Sequence, residues 1–140
     1  VNEKENIALV GFTTDGDVFG GFYSVAVTEQ DKYFYDLDMF IFSFESHGRC
    51  DTPQWFDVKE ALKKGALVKF WKDDWNGFVE FWVGGAGGGF RLGNENSESN
   101  CKNLSKAFEG LQDTTLSGKN GSFSKGPFHH CTRLVAIQMS

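Results

Sequence analysis

Proline is scarce in this sequence, with two residues among 140, and the 17 glycines supply most of the turn signals instead. A chain so poor in proline has no proline-rich linker, so no boundary divides it into separate domains. No stretch approaches the roughly 20 apolar residues of a membrane-spanning helix, and we expect no membrane insertion. The opening residues, VNEKENIALVGF, carry no basic leader. We therefore expect one domain over residues 1–140, without a signal peptide, in the cytoplasm or the nucleus.

Cysteine is sparse and odd in number, with three widely spaced residues and no Cys-x-x-Cys pair. This pattern excludes a disulfide framework and favours buried, reduced thiols in a reducing compartment. Zinc binds Cys and His side chains, so a metal site stays open as an alternative. Neighbouring His side chains on a strand point to opposite faces, so His129 and His130 cannot easily act together. The weak candidates for metal ligands are His47, Cys50, Cys101, His130 and Cys131.

Positive charge is in the minority, because 14 Lys and Arg stand against 19 Asp and Glu and give a net charge of -5. This balance argues against a protein that works by overall attraction to nucleic acid. One stretch, residues 59–72, concentrates lysines next to Trp71 and Trp75. Lysines interleaved with aromatic residues can bind nucleic acid, but a solvated face explains them as well and is favoured.

Aromatic residues are abundant, and the 15 Phe favour half-buried strands. Asp15-Gly16 and Asn76-Gly77 are hairpin turn signals, each placed between apolar or alternating runs. A short helical segment is predicted over Phe56–Lys64, and Ser105–Leu111 is predicted to form either one helical turn or a covering loop. We predict a mainly β (α+β) fold, a two-layer antiparallel β-sandwich with one or two short flanking helices. The predicted strands are Ile7–Phe12, Val18–Val27, Phe40–Phe44, Ala66–Lys72, Phe78–Val83, Phe90–Leu92 and Cys131–Met139.

Two details of these strands concern packing. Phe40, Phe42 and Phe44 alternate with other residues, so we expect their side chains on one face of the sheet. The pair Gly20-Gly21 predicts a bulge or a close approach of another group to the backbone.

No catalytic set is predicted. A nucleophile, a base and an orienting group are needed for acyl transfer, and the segment around His47 contains such residue types. We interpret this segment as a structured turn in which Arg49 pairs with Glu45. The glycine loop of residues 84–89 lacks the Gly-Lys-Ser/Thr that binds phosphate, and a turn between strands is favoured. The candidate side chains for such chemistry in this segment are those of Ser43, Glu45, Ser46, His47 and Cys50.

The order of several motifs resembles the TLDc family. Residues 14–22, TDGDVFGGF, resemble its turn followed by Phe-Gly-Gly and an aromatic residue. Residues 40–44 resemble its next aromatic strand, residues 88–93 its Gly-aromatic-x-Leu strand, and residues 104–116 its Ser-containing region. The chain departs from the family at Leu134–Ile137, where Glu and Trp are usual, and at Ala107-Phe108, where Thr-Phe is usual. The resemblance spans residues 7–139 and is greatest to the stand-alone, Phe-rich protozoan members.

This resemblance implies a β-sandwich flanked by helices, a role in oxidative-stress resistance and, in some members, binding to the vacuolar proton pump. It also implies that an N-terminal segment of the full domain is missing. The family supplies no active site, so no catalytic or cofactor-binding residue is assigned and no cofactor is expected. We expect a non-catalytic protein-interaction domain of the stress response. The alternatives are a nucleic-acid-binding transcriptional regulator and a metal-binding or hydrolytic enzyme.

Partner contacts are expected from aromatic side chains in turns and from the basic stretch, because aromatic anchors dominate interface energies. The candidates are Tyr33, Trp55, Trp75, Lys63, Lys64 and Lys72.

Overall fold

A computed structural model describes residues 4–71, 79–93, 98–99, 101–119 and 129–139. In this part of the chain eleven strands form two antiparallel sheets, one of six strands and one of five. The predicted class, a mainly β two-layer sandwich with short helices, is confirmed. In chain order the strands are β1 (Ile7–Thr13), β2 (Val18–Tyr23), β3 (Phe34–Tyr35), β4 (Phe40–Glu45), β5 (Gln54–Asp57), β6 (Ala66–Phe70), β7 (Val79–Val83), β8 (Gly88–Leu92), β9 (Glu98–Ser99), β10 (Cys101–Lys102) and β11 (His129–Gln138).

The six-stranded sheet has the order β5-β4-β2-β1-β11-β9, and the five-stranded sheet has the order β10-β8-β7-β6-β3. Hairpins account for the neighbours β1–β2, β4–β5, β6–β7 and β7–β8, as turn-rich connections favour. The last strand, β11, returns to pair with the first, so that Val10 lies opposite Val135. This pairing ties the two ends of the described chain together.

The two sheets meet across a core of aromatic rings and aliphatic side chains. The rings of Phe19 in β2 and Phe90 in β8 meet edge to face with centroids 5.4 Å apart. Tyr23 packs against Phe70 and Phe81 at 5.9 and 6.4 Å between centroids. Such offset contacts contribute about 0.5–1.5 kcal/mol each beyond the burial of area. These five aromatic residues, all of them in strands, therefore hold the two sheets together.

The predicted close approach at Gly20-Gly21 is present on both faces of β2. A β-carbon at Gly21 would lie 2.6 Å from the Phe81 ring, inside the core. At Gly20 it would lie 1.8 Å from the Leu9 carbonyl oxygen and 3.0 Å from the Phe42 ring on the outer side. The two glycines let large rings pack directly against the backbone of β2.

Several element boundaries differ from the sequence predictions. Strand β2 ends at Tyr23 rather than at Val27, because the backbone and hydroxyl of Ser24 donate hydrogen bonds to the buried Asp36 carboxylate. The helical segment predicted over residues 56–64 is split into β5 and a 3-10 helix, Glu60–Gly65. Of the two alternatives for Ser105–Leu111, the helical turn is present, as α1 (Leu104–Ala107). The two-residue strands β3, β9 and β10 are too short to leave a periodic pattern.

The strongest predicted hairpin, around Asn76-Gly77, is confirmed as the antiparallel pair β6–β7, in which Lys69 lies opposite Glu80. Its turn lies outside the described residues.

In the described part of the chain no helix is long and apolar enough to span a membrane.

Candidate functional site

The outer face of the six-stranded sheet, turned away from the core, is apolar across five strands. One row of paired residues runs Ile137, Ala8, Phe22, Phe40 and Asp57. The next runs Val135, Val10, Gly20, Phe42 and Trp55. With strands about 4.8 Å apart, each row extends roughly 19 Å across the sheet. Within these two rows only Asp57, at the end of the first, carries a charge.

Small residues in the middle of the rows and large rings beside them create a groove. The Phe22 and Phe40 rings stack at 4.8 Å between centroids, as do those of Phe42 and Phe44. The groove has a volume of about 420 Å³, and its accessible lining is apolar. We call this surface the outer groove; its lining residues are Ala8, Val10, Phe22, Phe40, Phe42, Phe44, Pro53, Gln54, Trp55, Ile137 and Met139.

The side chains around the outer groove are unusually accessible for their size. Trp55 is 68% exposed, and Phe44, Ile137 and Met139 are each nearly half exposed. Covering one such side chain contributes on the order of 1 kcal/mol, so a partner over all four gains several kcal/mol before the losses of association. Apolar patches of this kind on a folded domain mark binding surfaces.

The outer face of the five-stranded sheet has the opposite character. Lys69, Glu80 and Arg91 lie opposite one another on β6, β7 and β8, and the Arg91 Nε donates to Glu80 Oε1 at 2.7 Å. Lys69 is only 8% exposed, because its ammonium lies over the rings of Trp71 and Tyr33 at 3.6 and 4.6 Å from their centroids. On this face the side chains pair with one another through charge pairs and cation–π contacts, whereas no described residue covers the apolar side chains of the outer groove.

Carboxylates border the outer groove on its β4–β5 side. Asp57 shares the outer face with Trp55, and Glu45 follows Phe44 at the other end of β4. Asp38 is exposed in the connection that precedes β4, and Asp51 is exposed in the connection between β4 and β5. Among the described residues none of these four carboxylates forms an ion pair. The pKa of Lys63 is raised chiefly by its hydrogen bond and charge attraction to Glu60, with smaller contributions from the charges of Asp57 and Asp38. We call these four residues the acidic rim.

His47, weighed as a catalytic base, belongs to a structural network. Its Nδ1 lies 2.8 Å from Oδ1 of Asp17, which is buried at the β1–β2 turn. The same oxygen accepts a hydrogen bond from Arg49, whose other donors bind the carbonyls of Thr115 and Leu116. The predicted pair of Arg49 with Glu45 is therefore wrong: Arg49 turns to Asp17 because a buried carboxylate needs a cation. Glu45 instead accepts the backbone N–H of His47.

The nucleophile candidates near His47 do not meet it. Ser43 is fully buried within β4, and the hydroxyl of Ser46 lies 3.5 Å from Sγ of Cys50. No hydrogen bond joins His47 to any of these three side chains in the described structure. The segment is a structured turn, as the sequence favoured.

The thiols lie in different places. Cys101 is fully buried, and burial raises its pKa to about 12. Cys131 is also buried, which raises the pKa of its thiol, and it donates to the carbonyl of Arg133. Cys50 is partly exposed. His130 lies in β11, opposite Glu98 of β9. Within the described ranges no three His, Cys, Asp or Glu side chains converge in a way that could hold a metal ion.

The candidate partner residues are spread over the surface. Trp55 is exposed beside the outer groove, whereas Tyr33, 52% exposed, covers Lys69 on the other sheet. Lys63 is bound to Glu60 at 3.0 Å, and Lys64 is exposed. Lys72 and Trp75 lie outside the described residues.

Sequence reasoning found the shared face of Phe40, Phe42 and Phe44 but missed the groove that they line. The missed members are in β1, β2 and β11, together with Pro53 just before β5, Gln54 at its start and Met139 just after β11. One signal for it was present: residues 7–12 of β1 contain no polar side chain, so both faces of this strand are apolar. An antiparallel strand with one solvated face alternates instead.

Family models, curated proteins and solved structures were compared with the chain, and none of them matches.

Proposed function

We propose that the chain is a non-catalytic protein-interaction domain that binds its partner through the outer groove. The observation that carries the proposal is an aromatic sheet face left bare on a domain whose other outer face is closed by charge pairs. Trp55 and Phe44 are the anchors, because large aromatic side chains that become buried by a partner dominate interface energies.

The side chains give less support to the alternative roles, an enzyme or metal protein and a nucleic-acid-binding regulator. His47 is held by Asp17, and two of the three thiols are buried and protonated. Two of the lysines in the basic stretch are engaged, Lys69 beneath two rings and Lys63 with Glu60. The groove, in contrast, offers a large apolar surface that no other described part of the chain covers.

The resemblance to TLDc domains supports a place for this interaction in the oxidative-stress response. In cells that make the protein naturally, removing it should lower survival after peroxide treatment. The wild-type chain should restore survival, and Trp55→Ala should not. Rescue by Trp55→Ala equal to that by the wild type would contradict the proposed role of the groove.

The binding surface itself is tested by comparing affinity capture with Trp55→Ala and with Tyr35→Ala. Tyr35 is a matched control, since it is 60% exposed but lies on β3 of the other sheet. We expect a set of partners that is captured by the wild type and Tyr35→Ala and lost with Trp55→Ala. Identical sets for all three chains would remove the outer groove from the proposal.

A further inference from the structure

We infer that the occupant of the outer groove is a basic amphipathic helix of a partner protein, about three turns long, with cationic residues near both ends. This inference rests on the proposed function and specifies the chemistry of the partner. Three observations carry it: the satisfied backbone beneath the groove, its length, and the acidic rim.

The backbone beneath the groove requires a partner that satisfies its own hydrogen bonds. Strands β1, β2 and β4 have neighbouring strands on both sides, so their backbone groups are already paired within the sheet. A segment lying on the face gains no backbone hydrogen bonds from it, and buried unpaired backbone groups are unfavourable. An α-helix meets this requirement, since its hydrogen bonds are internal. An extended peptide does not.

The length of the helix follows from the spacing of the rim. Asp57 lies opposite Phe40, and Glu45 is the last residue of the same strand β4. Five residues of strand separate the two positions by roughly 17 Å. An α-helix of about three turns, or 11 residues, covers the same distance.

The charges favour a basic partner over a second copy of this chain. The acidic rim places carboxylates at both ends of the β4–β5 side, and the chain carries a net charge of -5. In a symmetric dimer through this face the same patches meet, which brings two acidic rims together. Lys63 is the basic group near the rim, and its ammonium is bound to Glu60. Arg133 lies at the far corner, over the ring of Phe12.

The test uses two labelled peptides of about 16 residues with the same leucine stripe at helical spacing, one with lysines in both end turns and one with glutamates there. Binding to the whole chain is followed by fluorescence anisotropy. At about 50 mM NaCl we expect the lysine peptide to bind at least tenfold tighter, and at about 500 mM the ratio should fall below threefold because salt screens exposed charges.

Variants of the protein separate the rim from the groove. Glu45→Gln with Asp57→Asn should weaken the lysine peptide about tenfold and leave the glutamate peptide unchanged. Glu29→Gln, an exposed carboxylate in the connection that leads to the other sheet, should change neither. Trp55→Ala should weaken both peptides, and Tyr35→Ala neither.

The outcomes divide clearly. Equal binding of the two peptides, or a double variant without effect, overturns the basic helix even if the captured partners still depend on Trp55. Absence of binding by either peptide overturns it too. Light scattering that shows a dimer dissolved by Trp55→Ala assigns the face to a second copy. Binding to neutral phosphatidylcholine vesicles that Trp55→Ala abolishes assigns it to a lipid surface. Either of these results overturns the inference.

Discussion

At the scale of single residues, the most consequential polar group is Asp17. Its carboxylate is 2% exposed and forms an ion pair with Arg49 and a hydrogen bond with the ring of His47, both from a loop about 30 residues away. Its backbone N–H donates to the hydroxyl of Thr13 at 3.1 Å. This network ties the β1–β2 turn to the loop after β4 and, through the two carbonyls bound by Arg49, to residues 115–116.

Asp17→Asn should therefore lower the free energy of unfolding by about 2–3 kcal/mol, because it leaves the Arg49 guanidinium without its anionic partner. Urea denaturation followed by tryptophan fluorescence measures the change. Asp15→Asn is the control: Asp15 pairs with Lys119 at 3.1 Å, but both are well exposed, so we expect less than about 1 kcal/mol. Equal losses for the two variants would contradict the structural role of Asp17.

At the scale of elements, β2 is notable for two adjacent glycines, which let aromatic rings approach its backbone from both faces. Gly21 admits the Phe81 ring from the opposite sheet, and Gly20 admits the Phe42 ring that lines the outer groove. One strand thus sets the spacing of the core on one side and the depth of the groove on the other.

Gly21→Ala should destabilise the fold by about 1–3 kcal/mol, because the added methyl would lie 2.6 Å from the Phe81 ring and force the two sheets apart. Gly84→Ala is the matched control, since its nearest neighbour would be the Gly65 carbonyl oxygen at 3.7 Å, an ordinary contact. Chemical denaturation of both variants decides the point, and a stable Gly21→Ala would show that the sheets are packed less tightly here.

At the scale of the whole molecule, the described core holds three ionisable groups that burial keeps neutral, Tyr23, Cys101 and Cys131. Burial raises the pKa of Tyr23 from 10.0 to about 12 and that of Cys101 from 9.0 to about 12. The unfolded chain releases these protons at the ordinary values, whereas the folded chain keeps them until about pH 12. Unfolding is thus favoured progressively as the pH rises from about 9 toward 12, and the folded state loses stability over that range.

Tyr23→Phe should reduce this alkaline loss. The buried Tyr23 hydroxyl has no hydrogen-bond partner among the described residues, so at about pH 8 the variant should be as stable as the wild type or up to about 1 kcal/mol more stable. Between about pH 10 and 11 it should lose less stability than the wild type. Tyr35→Phe, at an exposed tyrosine, should follow the wild type throughout; if Tyr23→Phe does so as well, the hydroxyl is hydrated or bonded in solution.

The sequence by itself determined the class of fold and most long strands. Turn chemistry at Asp15-Gly16 and the alternation of Phe40, Phe42 and Phe44 are local signals, read within a few residues, and they predicted hairpins and faces correctly. The apolar run of β1 also showed that both of its faces avoid water. Two-residue strands such as β3 left no signal, since a period cannot be recognised over two positions.

Only the tertiary structure decided what covers each face. An uninterrupted apolar run such as that of β1 says that both faces of a strand are apolar, but which face the other sheet covers depends on how the two sheets stack. Likewise, the partner of Arg49 could not be found from spacing, because Asp17 lies 32 residues away and meets it only after β2 and β4 have paired. Contacts distant in sequence are set by sheet register and layer packing, and these arise from the whole chain at once.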